Sequence, residues 1–232
     1  MLTVCTLHHI KLPNINTDMT TSIEQSVIES YNTIFDGFDK TRVMIWKCVK
    51  DFSNDIGENK SAKILDMGCG NGKNMQYFLD NGFTNVMGCD ASGQFVSLCR
   101  QKSLDVIYGN LLNIPFPDCS FDYVICIAVL HHLSTEQHRI DGINELLRIT
   151  KPSGKILITV ASHEFPFYKN LSGEQDCMVP WKNCKDQSVI SNRYYHLFKK
   201  DELESMCNSD NIEHIDSIFE LFNWVVTITK KS

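Results

Sequence analysis

The residues of this sequence best suited to bind a ligand are Asp66, Gly68, Gly70 and Gly72. They lie in ILDMGCGNGK, where an apolar run ends in a carboxylate and three glycines follow at alternate positions. Glycine allows positive φ and lets a ligand come close to the backbone. A helix that starts behind such a turn offers free N–H groups and the positive end of its dipole. A pyrophosphate suits that cradle, and so does a ligand carrying a carboxylate. The spacing is G-x-G-x-G rather than G-x-G-x-x-G, so the motif taken alone fits an ordinary tight strand–helix turn equally well. Two further residues strengthen the ligand reading. Asp90 closes the next apolar run, where its carboxylate can accept both hydroxyls of a ribose. Asn110 closes the one after, where its amide can reach an adenine edge.

These residues need strands to bring them to one rim, and the hydrophobic pattern supplies them. Apolar runs at 62–66, 84–90, 104–109 and 121–129 read as strands. Helical segments fall between them at about 73–81 and 92–102. STEQHRIDGINELLRIT reads as a helix capped by Ser134 or Thr135, and KILITVAS as a fifth strand. A helix near 199–208 and strands at 212–221 and 223–230 complete the pattern, while 164–193 shows no period. Ahead of the first strand, Val27, Ile28, Tyr31, Ile34 and Phe35 recur at helix spacing. A break at Asp36-Gly37 is expected to lead into a second helix over 40–53, with Val43, Trp46, Val49 and Phe52 or their neighbours inward. Residues 1–22 are Thr/Asn-rich and expected to be flexible; residues 23–232 are read as one domain. The alternation predicts an α/β, Rossmann-like fold with a mostly parallel seven-stranded sheet and helices on both faces. Ligands of such sheets bind at the carboxyl ends of the strands.

Composition narrows the class. With 232 residues and 43% hydrophobic content the chain can bury a large core. Its net charge of −6 is unsuited to non-specific nucleic-acid binding, so any grip on a nucleic acid must come from a local patch or a partner. Ten cysteines form no Cys-x-x-Cys pair and no Cys/His cluster with zinc spacing, so no metal site is expected and reduced thiols are. MLTVCTLHHIKLPN lacks a basic leader, and no apolar run is long enough to span a membrane. A cytoplasmic, or also nuclear, location is expected.

DMGCGNG, then GCDAS, then NLLNIPFPDCSFDYVI, resembles the class I S-adenosylmethionine-dependent methyltransferases over residues 62–160. The resemblance implies that the glycine turn holds the methionine part of the cofactor, with its Cβ-free positions leaving room for a zwitterionic tail. It places the ribose on Asp90 and the adenine beside the residue after strand three. The cofactor set so implied is Asp66, Gly68, Cys69, Gly70, Gly72, Asp90, Asn110, Leu111 and Ile127. Over residues 24–230, FDKTRVMIW, IAVLHHLSTEQHR, VPWK, RYYHLFKKDEL and NWVV, in this order, resemble the stand-alone eukaryotic tRNA wobble-uridine methyltransferases. Those enzymes convert 5-carboxymethyluridine to its methyl ester.

That resemblance implies a carboxylate acceptor, which is ionised at neutral pH and needs no strong base. It needs a cation to place it and aromatics to hold an unstacked base. Arg42 and Arg193 are the candidates for the cation; Trp181, Tyr194 and Tyr195 are those for the aromatics. If that segment is extended, the two tyrosines face opposite sides and only one meets substrate. His131 is expected to line the transfer pocket, His196 to be as much structural as functional, and 164–193 to form a substrate-side insertion. The resemblance also implies a small zinc-binding activator subunit, pairing with an exposed edge strand at 104–109, unless the N-terminal helices cover that edge. Two rival readings remain: a class I methyltransferase with a small-molecule or protein acceptor, and a non-catalytic paralogue that binds the cofactor.

Overall fold

The computed structural model describes residues 22–169, 173–207 and 209–232. Apart from Ser22, the segment expected to be flexible lies outside them. Strands β1 (Lys63–Met67), β2 (Asn85–Asp90), β3 (Val106–Tyr108), β4 (Phe121–Ile127) and β5 (Thr150–Ala161) run parallel. Later in the chain come β6 (Asp176–Lys182), β7 (Val189–His196), β8 (Ile212–Glu220) and β9 (Asn223–Lys230). The sheet order is β3-β2-β1-β4-β5-β9-β8, with β9 inserted antiparallel to both its neighbours. The predicted mostly parallel seven-stranded sheet is present.

Alternate strand residues serve opposite faces, as the pleat requires. Leu65, Cys126, Ile156 and Ile158 join one apolar cluster with helix α5 (Glu136–Ile149). Ile64, Ile125 and Leu157 join the other with α2 (Lys47–Ile56), α3 (Lys73–Asp80) and α4 (Gly93–Gln101). Burial on both sides explains why these strands read as continuous apolar runs. The helices start where local chemistry allows. Ser92 caps α4 by accepting the Phe95 N–H, and Thr135 caps α5 by accepting the His138 N–H. Gly72 caps α3 in the left-handed region, at φ 76°.

Three expectations change. First, α1 (Ile23–Thr41) runs through Asp36-Gly37 instead of breaking there. A Cβ on Gly37 would meet only the Trp181 indole, at 3.6 Å, so this glycine marks a close helix–hairpin contact rather than a stop. The break falls at 42–46, and Val43, expected inward, is exposed there beside Met44. Second, the aperiodic stretch 164–193 forms a short helix α6 (Pro166–Lys169) and most of a β6–β7 hairpin outside the main sheet. Arg193, Tyr194, Tyr195 and His196 are buried in succession because β7 lies between α1 and the 3-10 turn Leu130–His132. Within 164–193 itself, β6 alternates only at Cys177 and Val179 and β7 is exposed or half-buried from Val189 to Asn192, so no long period develops. Third, the predicted edge strand 104–109 shrinks to the three residues of β3, since Leu104 turns into the core. Among the described residues β3 pairs with β2 alone, and α1 packs on β7 and α4.

Candidate active site

A cavity of about 620 Å³ opens at the carboxyl ends of β1, β2 and β4, between them and α1. One half is built by the glycine turn. Both oxygens of Asp90 accept backbone N–H groups, Gly70 at 2.7 Å and Ser92 at 2.8 Å. These bonds fix the carboxylate at the rim and leave further lone pairs for a ligand. Asn110 accepts the Leu112 N–H through Oδ1, which frees its NH₂ group. Cys69, Leu111 and Ile127 also line the cavity.

The three glycines have different reasons to be glycine, and this corrects the common role expected of them. A Cβ on Gly68 would sit 2.2 Å from Val129 Cγ2, and one on Gly72 2.3 Å from Leu104 Cδ1. Both positions also carry positive φ. Their need is close packing of the turn, and Gly72 is not in the cavity wall. Only Gly70 has its open side towards the cavity, facing the Phe38 ring of α1.

Asp66 is 1% exposed, outside the wall, and neither carboxylate oxygen has a hydrogen-bond partner. Neighbouring Asn74 is buried with its Oδ1 equally unpartnered. Burial, then the Asp90 charge, pushes the Asp66 carboxyl up to about 7, against smaller pulls from the Lys73 charge and the Asn74 side-chain amide. Lys73 and Asn74 at this end of the site do not offset the burial of Asp66.

The other half has the opposite imbalance. Arg193, on β7, is 6% exposed, and no described ion pair includes it. Its Nη1 donates to the Tyr195 hydroxyl at 3.1 Å, and its Nε is buried without a partner. Its guanidinium lies 5.1 Å from the Trp181 ring, 5.3 Å from Tyr195 and 5.8 Å from Tyr31. Tyr195 stacks on His131 with centroids 4.5 Å apart. His132 donates from Nδ1 to the Tyr194 carbonyl at 2.8 Å and accepts the Tyr31 hydroxyl at Nε2, also at 2.8 Å. Burial lowers both imidazoles, His132 to about 3 and His131 well below its usual value, so both are neutral.

Arg42, Arg193, Tyr195 and His131 thus all line one cavity. Arg42 is exposed at the mouth, 5.0 Å from Trp181, whereas Arg193 lies deep. Trp181 and Tyr194 do not line the cavity. Trp181 packs against α1 and the two arginines. Tyr194 bonds to Asp176 and to the Ser134 carbonyl, which leaves Tyr195 as the tyrosine on the cavity side. His196 bridges Asp176 and Glu202 away from the cavity and serves the hairpin's packing.

The fold is recognised independently. The methyltransferase domain family model matches residues 65–158. A putative methyltransferase of Encephalitozoon cuniculi is 31% identical over 189 residues, which make up 77% of this chain and 83% of that protein. The chain belongs to the class I methyltransferases. The cofactor of this family is S-adenosylmethionine, and the residues present fit it. Asn74, with its Oδ1 unpartnered, lines the cavity beside the buried Asp66, and Asp90 and Asn110 line it with free acceptor and donor groups for a nucleoside. The tRNA (carboxymethyluridine(34)-5-O)-methyltransferase alkbh8 of Xenopus tropicalis is 30% identical over 255 residues, 86% of this chain. The chain spans 40% of the length of that relative. A putative methyltransferase of Haloferax volcanii, solved in complex with the Trm112 methyltransferase activator, shares the fold at a TM-score of 0.63 and 16% identity, covering 89% of this chain and 98% of its own.

Sequence reasoning missed the α1 wall. Tyr31 and Phe38 lie seven residues apart on one helix face, a spacing that reads as core. They instead cover the cavity and meet Phe95, 6.3 and 5.2 Å away. Ala128, at φ 58° on the cavity wall, has no sequence signature; its N–H is held by Thr159. Phe165, Phe167 and Phe222 form an aromatic rim in which Phe165 and Phe222 stack at 4.5 Å.

Asp66 yields a pH prediction. An unfolded aspartate loses its proton near 4, whereas the folded one holds it to about 7. The ligand-free protein therefore loses stability as pH rises through that window. Thermal unfolding of Asp66→Asn between about pH 5 and 8 is expected to show a flatter slope than wild type. Calorimetry at the higher pH is expected to show S-adenosylmethionine binding weakened by roughly tenfold. An unchanged slope would contradict this account of Asp66.

Proposed function

We propose that this chain methylates the carboxylate of 5-carboxymethyluridine at the wobble position of tRNA, with S-adenosylmethionine as donor, forming the methyl ester. The observation that carries the proposal is Arg193, a deeply buried guanidinium in the cavity wall with no carboxylate beside it among the described residues. Leaving a charge buried and unpaired is strongly unfavourable, so an anionic ligand is its natural counter-ion. The similarity to the Xenopus enzyme supports the choice of substrate.

The side chains suit a reaction driven by positioning. When bound, S-adenosylmethionine supplies an electrophilic methyl group and leaves as a neutral thioether. Asn74, on the cavity wall beside the buried Asp66, orients its cationic end, and Asp90 its ribose. Arg193 holds the acceptor carboxylate, which is already ionised and needs no base. No imidazole is free to act as one. His131 Nδ1 is engaged by the Ala161 N–H and His132 Nε2 by Tyr31. The helix α1 and the aromatic rim keep water from the reacting oxygen. Stacking of the unstacked base passes from the expected Trp181 and Tyr194 to Phe167 and Phe222, which are exposed at the mouth. Arg42, exposed and outside the deep pocket, suits a phosphate of the same nucleotide.

An activator subunit is part of the proposal. Gly88 N–H donates to Asp105 O and Gly109 N–H to Asp90 O, so residues 105, 107 and 109 face β2. The N–H groups of Val106 and Tyr108 then point away from the sheet, where a strand of a partner can add. Tyr108 is 63% exposed. Most of the nine described cysteines, all free thiols, are buried, which suits a reducing cytoplasmic or nuclear setting. No helix among the described residues is long and apolar enough to cross a membrane.

Nucleoside mass spectrometry tests the activity. Wild type co-expressed with an activator of the Trm112 kind, given cofactor and tRNA lacking the ester, is expected to add one alkali-labile methyl to 5-carboxymethyluridine. Arg193→Ala is expected to bind cofactor normally and lose about 10²-fold or more in turnover. Cofactor binding by wild type without any methyl gain would sink the proposal. The edge is tested by Tyr108→Pro, which deletes an outward N–H and is expected to abolish co-purification with the activator; intact co-purification would exclude pairing at β3.

A further inference from the structure

The hydrogen bonds of His131 leave it one tautomer. Its Nδ1 lies 3.0 Å from the backbone nitrogen of Ala161, whose N–H can only donate. Nδ1 is therefore an acceptor and carries no proton. A neutral imidazole then holds its proton on Nε2. That N–H is buried and has no hydrogen-bond partner, and the residue is 2% exposed. Burial, together with His132 and Arg193 nearby, keeps the ring neutral.

The surroundings contain a second unsatisfied donor. His131 stacks on Tyr195, and the Tyr195 hydroxyl accepts from Arg193 Nη1. Arg193 Nε is itself buried and unpartnered. Acceptors on the adjoining residues each already hold one hydrogen bond. His132 Nε2 takes the Tyr31 hydroxyl, the Tyr194 carbonyl takes His132 Nδ1, and the Ala161 carbonyl takes the Phe198 N–H. His131 and Arg193, each carrying one unpartnered donor, come from two different elements, the 3-10 turn after β4 and strand β7, and both residues line one cavity.

We infer that His131 is a second substrate-orienting donor, and that with Arg193 it makes the acceptor end of the cavity selective for a carboxylate over its carboxamide isostere. The inference rests on the carboxylate reading above. A carboxylate has only lone pairs to offer and satisfies both donors. A carboxamide of the same shape turns an NH₂ group towards one of them, so two donors meet and both remain unpaired. Sites built on buried polar groups reject such mismatches far more strongly than apolar pockets reject a methylene. The locked tautomer is essential, because the opposite one would present an acceptor that welcomes the amide.

The test is a binding comparison, since an amide is a poor nucleophile whatever the site prefers. Wild-type protein with its activator and S-adenosylhomocysteine is titrated with tRNA bearing 5-carboxymethyluridine or 5-carbamoylmethyluridine. The acid form is expected to bind at least about tenfold tighter. His131→Phe keeps the stack on Tyr195, and His131→Asn keeps an acceptor for the Ala161 N–H; both lack the Nε2 donor. In either variant the preference is expected to fall to about threefold or less while S-adenosylhomocysteine affinity is retained, which shows the fold intact. A wild-type preference that persists in a variant with normal cofactor affinity would overturn the role of His131. Failure of the carboxylate reading itself would look different: wild type would bind cofactor and show no preference between the two tRNAs.

Discussion

Two buried ionisable groups of opposite type, the Asp66 carboxyl and the Arg193 guanidinium, govern this molecule. The Asp66 carboxyl lies under the glycine turn with no hydrogen-bond partner, and the Arg193 guanidinium lies on the hairpin wall with no carboxylate among the described residues. An unpaired buried charge is strongly destabilising; Arg193 bears that cost, while Asp66 holds its proton to about 7, and ligands of the opposite charge would complete both pairs. The proposed reaction fits both ends. It unites a cationic donor with an anionic acceptor and leaves two neutral products, so an enclosed cavity of low dielectric favours the forward step. The neutral ester then loses its hold on Arg193, which favours release.

The architecture delivers these groups from separate parts of the chain. The parallel strands bring Asp66, Asp90 and Asn110 to one rim, and the glycine turn packs tightly enough to keep Asp66 dry. The acceptor side lies off the main sheet, on the β6–β7 hairpin. Helix α1 joins the halves. Ser30 donates to the Asn192 carbonyl on β7, Asn32 accepts the Ser92 hydroxyl at the head of α4, and Glu24 accepts from Ser134 and His138. The same helix presents Tyr31 and Phe38 to the cavity, so enclosure of the site and docking of the hairpin are one structural event.

Much of this was legible in the sequence where one residue has one duty. Strand–helix alternation and the Asp90 position follow from hydrophobic period and from turn chemistry, and the edge location of β3 from the family resemblance. Legibility failed where two surfaces compete for a residue. Tyr31 and Phe38 have core-like spacing because a helix face against a cavity and one against a core obey the same 3.6-residue period. The hairpin gave no long period because β6 alternates only at Cys177 and Val179 and β7 changes from exposed to buried at Arg193. Gly37 looked like a breaker because a glycine chosen for contact with Trp181 cannot be told from one chosen for a turn. Arg193 and His131 were found as residue types beside recognisable motifs. Their burial, and the lack of partners that gives them meaning, exist only in three dimensions.

The most direct test of the central claim removes the substrate's charge and the protein's charge in turn. With S-adenosylhomocysteine bound, the affinities of tRNA carrying 5-carboxymethyluridine and of tRNA carrying its methyl ester are measured for wild type and for Arg193→Ala. The account predicts that wild type favours the acid by at least about tenfold and that the variant binds the two alike, because the pairing lost is that of one buried ion pair. A variant that still favours the acid as strongly as wild type would show that the carboxylate is held elsewhere and that Arg193 is not its counter-ion.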